Sequence, residues 1–332
     1  MKRTVSVIVL VALLFSFSAC GSEVISSKEN FIFNGCPHSF FSVCCEELIV
    51  GLGSENATVF NTETNEKYDF IRDPFYNSKK DGTAKCVFTD GSNIYYLLDK
   101  DNEYKVIMQN PITHKESVIY KKRLYKMQND ILLGAVKAPS SAADIIMTSD
   151  SPSAFVVAGD CLVLFMGNRV ASVNLKTGRE TVILNEGHYL SNISCCGTKV
   201  YMISNTLNLL CYDTLSGEIA KLPDVKARLL LIAPDGVYYV TVSRELYRVG
   251  FDFSNPEKIS ETNGVVLEYC KGFIIASRSG DSIEIINTES GEKQIKSAPN
   301  INDGIVYSEK SDVLFRRIMS DGKCDFERLD VV

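Results

Sequence analysis

The sequence predicts an all-β fold, a seven-bladed β-propeller of four-stranded antiparallel blades spanning residues 30–332. Three observations carry that reading. A turn-like heptad recurs as NTETNEK at 61–67, NPITHKE at 110–116, NLKTGRE at 174–180, DTLSGEI at 213–219, DFSNPEK at 252–258 and NTESGEK at 287–293. Each opens on Asn or Asp and reaches Ser, Thr, Gly or Asn three to four positions later, residue types that bond their own main chain and tolerate left-handed backbone. Short β-branched and aromatic runs of strand length also recur: LIVGL at 48–52, IYYLL at 94–98, LVLFM at 162–166, VYMI at 200–203, VYYV at 237–240, FIIA at 273–276 and VLF at 313–315. Their first residues step by 46, 68, 38, 37, 36 and 40. Four short strands every ~40–45 residues is the period of a propeller blade. No long amphipathic segment of helical period lies between the repeats, as a parallel α/β chain requires.

The chain begins with an address. Lys2 and Arg3 precede an apolar run of 13 positions, 5–17, interrupted by Ser6 and Ser16. A bilayer-spanning helix needs roughly 20 residues. A basic start, a short apolar core and the small residues Ser18, Ala19, Cys20 and Gly21 are the pattern of a secretory signal peptide over residues 1–19. Residues 20–29 then form a short tether, and no later segment has ~18 uninterrupted apolar residues.

The run NFIFN at 30–34 reads as an orphan strand ahead of the first repeat. In the fourth repeat, strands are expected at 189–195, 200–203, 207–213 and 218–222. In the seventh they are expected at 304–308, 312–318 and 324–331, after which the repeat lacks a fourth strand. The orphan is therefore expected to complete the last blade and latch the ring. One blade cannot bury both of its faces, whereas radial stacking in a closed ring does so. The 68-residue step adds about 30 residues near 121–151, including KAPSSAADIIMTSDS. That is too short for a blade and is expected to be a loop projecting from the ring or an extra hairpin on its rim. Counting it as part of an eighth blade is the alternative.

Two resemblances follow from these residues. Phe17-Ser18-Ala19-Cys20 resembles the lipobox of bacterial lipoproteins, with Phe17 where that family usually has Leu. The resemblance implies cleavage before Cys20, diacylglycerol on its thiol and acylation of the new amine, hence a lipid-anchored location in the bacterial cell envelope, facing outside the cytoplasm. Two or more acyl chains give stable attachment where one does not, at about 0.8 kcal/mol per buried methylene. The Asn/Asp-x-x-Ser/Thr-Gly-Glu turn resembles quinoprotein-like and surface-layer-type propeller repeats, and those of propeller lipoproteins of unassigned role. Quinoprotein repeats carry a Trp that docks neighbouring blades. This chain has no Trp, so the resemblance extends to architecture and no cofactor is expected.

Composition bounds the chemistry. The 332 residues are 45% apolar and 23% charged, with a net charge of −6 that becomes −8 once Lys2 and Arg3 are removed. Nucleic acid, which needs a concentrated cationic face, is not an expected partner. Of eleven Cys, ten remain besides Cys20, an even number that permits disulfides in an exported protein. Cys45, Cys161, Cys196 and Cys270 sit at similar places ahead of their apolar strands, however, which favours small, buried, reduced core residues. Neighbours in a strand point to opposite faces, so Cys44-Cys45 and Cys195-Cys196 are not expected to bond within a pair. There is no C-x-x-C pair, no H-E-x-x-H, no G-x-S-x-G, no phosphate loop and no G-x-G-x-x-G. His38, His114 and His188 lie far apart, and His114 falls in a turn. DKDNE at 99–103 lacks calcium-loop spacing and reads as a solvated turn. No catalytic, cofactor-binding or metal residue is therefore expected. The function expected is a membrane-anchored propeller scaffold, held to the membrane through lipid on Cys20, that binds a protein or an envelope component without catalysis. A hydrolase or lyase acting on an envelope polymer, and a small-ligand sensor, are the alternatives.

Overall fold

The computed structural model describes residues 31–32, 42–45, 47–52, 57–69, 83–100, 103–123, 152–166, 169–185, 193–278, 282–298, 304–320 and 323–329. All regular structure among them is β, in seven antiparallel sheets. Strand β1 is Phe31–Ile32. Blade one holds β2 (Ser42–Cys45), β3 (Leu48–Leu52), β4 (Ala57–Asn61) and β5 (Lys67–Asp69). Blade two holds β6 (Thr83–Thr89), β7 (Ile94–Lys100), β8 (Glu103–Gln109) and β9 (Glu116–Arg123), and blade three β10 (Pro152–Ala158), β11 (Cys161–Met166), β12 (Val170–Asn174) and β13 (Glu180–Leu184). Blade four holds β14 (Ile193–Cys196), β15 (Lys199–Ile203), β16 (Leu209–Asp213) and β17 (Ile219–Lys221), and blade five β18 (Ala227–Ala233), β19 (Gly236–Thr241), β20 (Glu245–Val249) and β21 (Glu257–Glu261). Blade six holds β22 (Val266–Cys270), β23 (Phe273–Arg278), β24 (Ser282–Asn287) and β25 (Lys293–Ser297). Blade seven has three described strands, β26 (Ile305–Ser308), β27 (Val313–Ser320) and β28 (Lys323–Leu329).

The first strands touch one another in the cyclic order β2, β6, β10, β14, β18, β22, β26 and back to β2, so they line the axis of a closed seven-bladed propeller. Burial follows position in the blade. The second strands β3 and β11 are buried along their whole length, as continuous apolar runs sandwiched on both faces must be, while the outermost strands β17 and β25 are fully exposed. Apolar clusters fill every junction in turn, and the adjacent cysteines split between them. Cys44 packs toward blade seven and Cys45 toward blade two; Cys195 packs toward blade three and Cys196 toward blade five. No disulfide joins the nine described cysteines.

Ring closure differs from the expected latch. The described part of the run at 30–34, β1, does not pair with blade seven: it pairs antiparallel with β14, Phe31 opposite Cys196 and Ile32 opposite Cys195, as a fifth strand on blade four. Blade seven instead meets blade one face to face, through Ile49, Phe60, Val306, Phe315, Cys324 and Phe326. The rings of Phe60 and Phe315 meet edge-on at 5.4 Å, and Arg317 Nη2 donates to the Leu52 carbonyl at 2.5 Å. Gly51 permits this approach, because a Cβ there would lie 2.6 Å from Phe326 Cζ and clash with Cys324 Sγ. Among the described residues, side-chain packing closes the ring and no strand is shared between blades seven and one, while β1 takes the backbone edge that β14 turns to the axis.

The repeated heptads are the third-to-fourth-strand hairpins. Asn61, Asn110, Asn174 and Asn287 each accept two main-chain N–H bonds through Oδ1, from the residues two and three positions on. The fifth residue is left-handed: Asn65 (φ 60), His114 (φ 54), Gly178 (φ 71), Gly217 (φ 77) and Gly291 (φ 72). DFSNPEK forms a different turn, with Phe253 and Asn255 left-handed. Of the extra segment near 121–151, residues 121–123 are the end of β9; residues 124–151 lie outside the described residues, as do residues 1–30 with Cys20.

Candidate functional site

The seven blades have two ends. The first-to-second and third-to-fourth hairpins share one, called here the hairpin end. The blade-to-blade linkers and the second-to-third turns share the other, the linker end. At the linker end between blades five and six lies a recess of about 430 Å³ lined by Arg228, Arg244, Asn263, Val265 and Arg278.

Four pieces of local structure place these side chains. Arg228 is the second residue of β18 and reaches across the junction, its Nη2 donating to the carbonyls of Thr262 (3.3 Å) and Gly264 (2.9 Å) in the linker to blade six. Arg244 stands in the β19–β20 turn with φ 70, and its Nη1 donates to Asn263 Oδ1 at 2.7 Å. Arg278 ends β23. Gly264 makes the linker fit, because a Cβ there would lie 2.5 Å from that of Ala276.

Beneath the recess is Glu284 of β24, fully buried. Its Oε2 accepts from Thr262 Oγ1 (2.5 Å) and the Asn263 N–H (3.3 Å). Its Oε1 has no hydrogen bond and lies 3.7 Å from both Arg278 Nε and Lys293 Nζ. The carboxylate orders the linker and faces two cations without closing a bond to either. Val265, 40% exposed, adds apolar surface beside the cations. Guanidinium groups held by backbone carbonyls keep further donors in a planar fork suited to carboxylate or phosphate oxygens.

A second carboxyl stands out on the inner wall. Glu268 of β22 shares a strand face with Val266 and Cys270, toward blade seven. Desolvation pushes it up to about 8, against a main-chain hydrogen bond at Tyr307 that pulls it down. Desolvation likewise raises Cys211 and Cys270 to about 11, and Cys86 and Cys195 further, so these thiols stay protonated.

The residues weighed from sequence do not meet here. His114 occupies the left-handed position of its turn, and His38 and His188 lie outside the described residues, as does Cys20. Glu103 of the acidic run pairs with Lys105 (3.2 Å) and Lys121 (3.1 Å). Among the described residues no group of three His, Cys, Asp or Glu is placed to hold a metal, and no helix is long and apolar enough to cross a membrane. Sequence reasoning missed the arginines because they are 16 and 34 residues apart and follow no repeat. The available signal was Arg where blade four has uncharged turn residues, in TVSRE against SNTLN.

No protein-family model matches the sequence, and no curated protein does. Among solved structures, the fold is similar to an oligogalacturonate lyase in complex with manganese (TM-score 0.57, 12% identity, 86% of this chain and 87% of that one). It is similar to an oligogalacturonate lyase from Vibrio parahaemolyticus (0.52, 11%, 90% and 90%). It is also similar to PorZ, a surface component of the type-IX secretion system of Porphyromonas gingivalis (0.54, 9%, 87% of this chain and 38% of that one). At such identities the likeness establishes the class, a seven-bladed β-propeller, and fold alone does not assign function.

Proposed function

We propose that this chain is a membrane-anchored, extracytoplasmic propeller scaffold that binds an anionic envelope component, held to the membrane by lipid on Cys20. The observation that supports the reading is the convergence of Arg228, Arg244 and Arg278 on one recess at the junction of blades five and six. Its volume lies within the range of small-ligand pockets, and a ligand there is recognised by its negative oxygens, with Val265 contacting its apolar parts.

The test is calorimetric binding of polygalacturonate, with neutral dextran as control, to the wild type and to an Arg244→Asn/Arg278→Gln variant. Asn tolerates the left-handed backbone at 244. Salt-sensitive binding by the wild type, at least tenfold weaker in the variant, supports the recess. Equal affinity of the two proteins, or equal binding of dextran, rejects it. The second reading, a lyase acting on an anionic envelope polymer, is favoured by the two lyases of similar fold. The same titration decides it: a lyase shortens the polymer and leaves unsaturated ends, whereas a scaffold returns it intact.

A further inference from the structure

We infer that strand β1 lies in the axis of the ring and faces the chain ahead of it to the hairpin end, so that, resting on the proposed lipid anchor at Cys20, the protein turns its hairpin end to the membrane and its arginine recess away from it. The strand β1 pairs with the edge of β14, which is itself one of the seven strands lining the axis, and β1 also touches β18. It therefore lies inside the circle of first strands. The register sets its direction. Each first strand runs from the linker end, where Arg228 sits, to the hairpin end. Cys196 is at the hairpin end of β14, and Phe31 lies opposite it; Ile32 lies opposite Cys195, one step toward the linker end. The chain thus arrives at Phe31 from the hairpin end and leaves Ile32 toward the linker end, where β2 begins.

The consequence for an anchored chain is geometric. Eleven residue steps lead from Cys20 to Phe31, a reach of about 40 Å at most. With Phe31 on the hairpin side of β1, a tether of at most that length keeps the hairpin end nearest the bilayer. The acidic residues there, including Asp160 and Asp235, are engaged by Lys176 and Arg248 respectively, which moderates their repulsion from anionic lipid. The ligand side chains Arg228 and Arg278 then face outward. The same strand occupies part of the axial channel, which counts against a small-ligand sensor site at that place.

Two measurements test this without using the recess. In the full chain, Phe31→Cys oxidised with glutathione disulfide is expected to bond to Cys196, read by peptide mapping and lost in Phe31→Cys/Cys196→Ser. Ile32→Cys with Cys195 is the second pair, for the case where the first variant does not fold. A Phe31→Cys/Arg328→Cys variant tests the rival latch on blade seven. A cross-link from 31 to 328, or free alkylation of the thiol introduced at position 31 in the folded protein, overturns the axial placement of β1. For orientation, the lipidated protein is labelled with a fluorophore at Leu215→Cys (hairpin end) or Val242→Cys (linker end) and reconstituted in phosphatidylcholine vesicles carrying nitroxide headgroups. At least twofold stronger quenching at 215 is expected; equal or reversed quenching overturns the orientation and leaves the placement of β1 standing.

Discussion

Two blade junctions of this ring solve the same packing problem in different ways. Where blade seven meets blade one, aromatic side chains interlock over Gly51, the one place where a Cβ would strike both Cys324 and Phe326. Where blade five meets blade six, a buried carboxylate sits under three arginines, and the linker is tied by polar bonds to both blades. The first junction is a dry seal that holds the ring by side-chain packing, with no strand exchange among the described residues. The second gives up apolar packing at its outer end and gains a charged recess. The contrast sets a packed seal at one junction against the proposed recognition site at the other.

Substitutions can break that contrast. Truncating the seal has the largest expected effect: Phe326→Ala is expected to cost about 3–5 kcal/mol in a urea melt, as for other large aromatic deletions, with little change in anion binding. Next is a pH effect at the inner wall. Because Glu268 has a folded-state value near 8, above its ordinary 4.5, the folded protein holds that proton more tightly than the unfolded chain. Its contribution is complete below about 4.5 and is lost as pH rises toward 8, a fall of a few kcal/mol at most. Glu268→Gln is expected to flatten the stability profile over that window; an unchanged slope removes the assignment. Gly51→Ala, which adds one methyl group to the seal, is expected to cost about 1–3 kcal/mol by overpacking.

At the recess the expected change is smaller and opposite in kind. Glu284→Gln keeps the side chain's shape but removes the charge beside Arg278 and Lys293. Polygalacturonate is expected to bind roughly fivefold tighter, about 1 kcal/mol, with the melting midpoint little changed. Weaker binding would show that the carboxylate positions Arg278 rather than competing with the ligand for it.

The parts legible in the sequence were the local and repeated ones. The heptads announced hairpins because Asn and Asp bond the main chain two and three residues on. In the structure Asn61, Asn110, Asn174 and Asn287 do so, and the left-handed fifth position also explains His114. The apolar runs announced second strands because both faces of each are covered. In blade four the strands overlap the expected stretches, with ends offset by up to four residues, since end residues depend on partners as well as on their own preference.

The run at 30–34 shows where such reading stops. Its composition marked it as a strand but carried no information about which edge it would choose, because backbone hydrogen bonds are the same for every sequence. β14 had an edge open toward the axis, and blade seven was already sealed by side chains. The recess is a similar case: Arg228, Arg244 and Arg278 come together only because blades five and six are neighbours and their linker is short. Sequence alone thus determined the number of modules and the chemistry of their turns, through interactions that span a few residues. Only the tertiary structure decided how the ring closes and where the cations converge, since both depend on surfaces far apart along the chain.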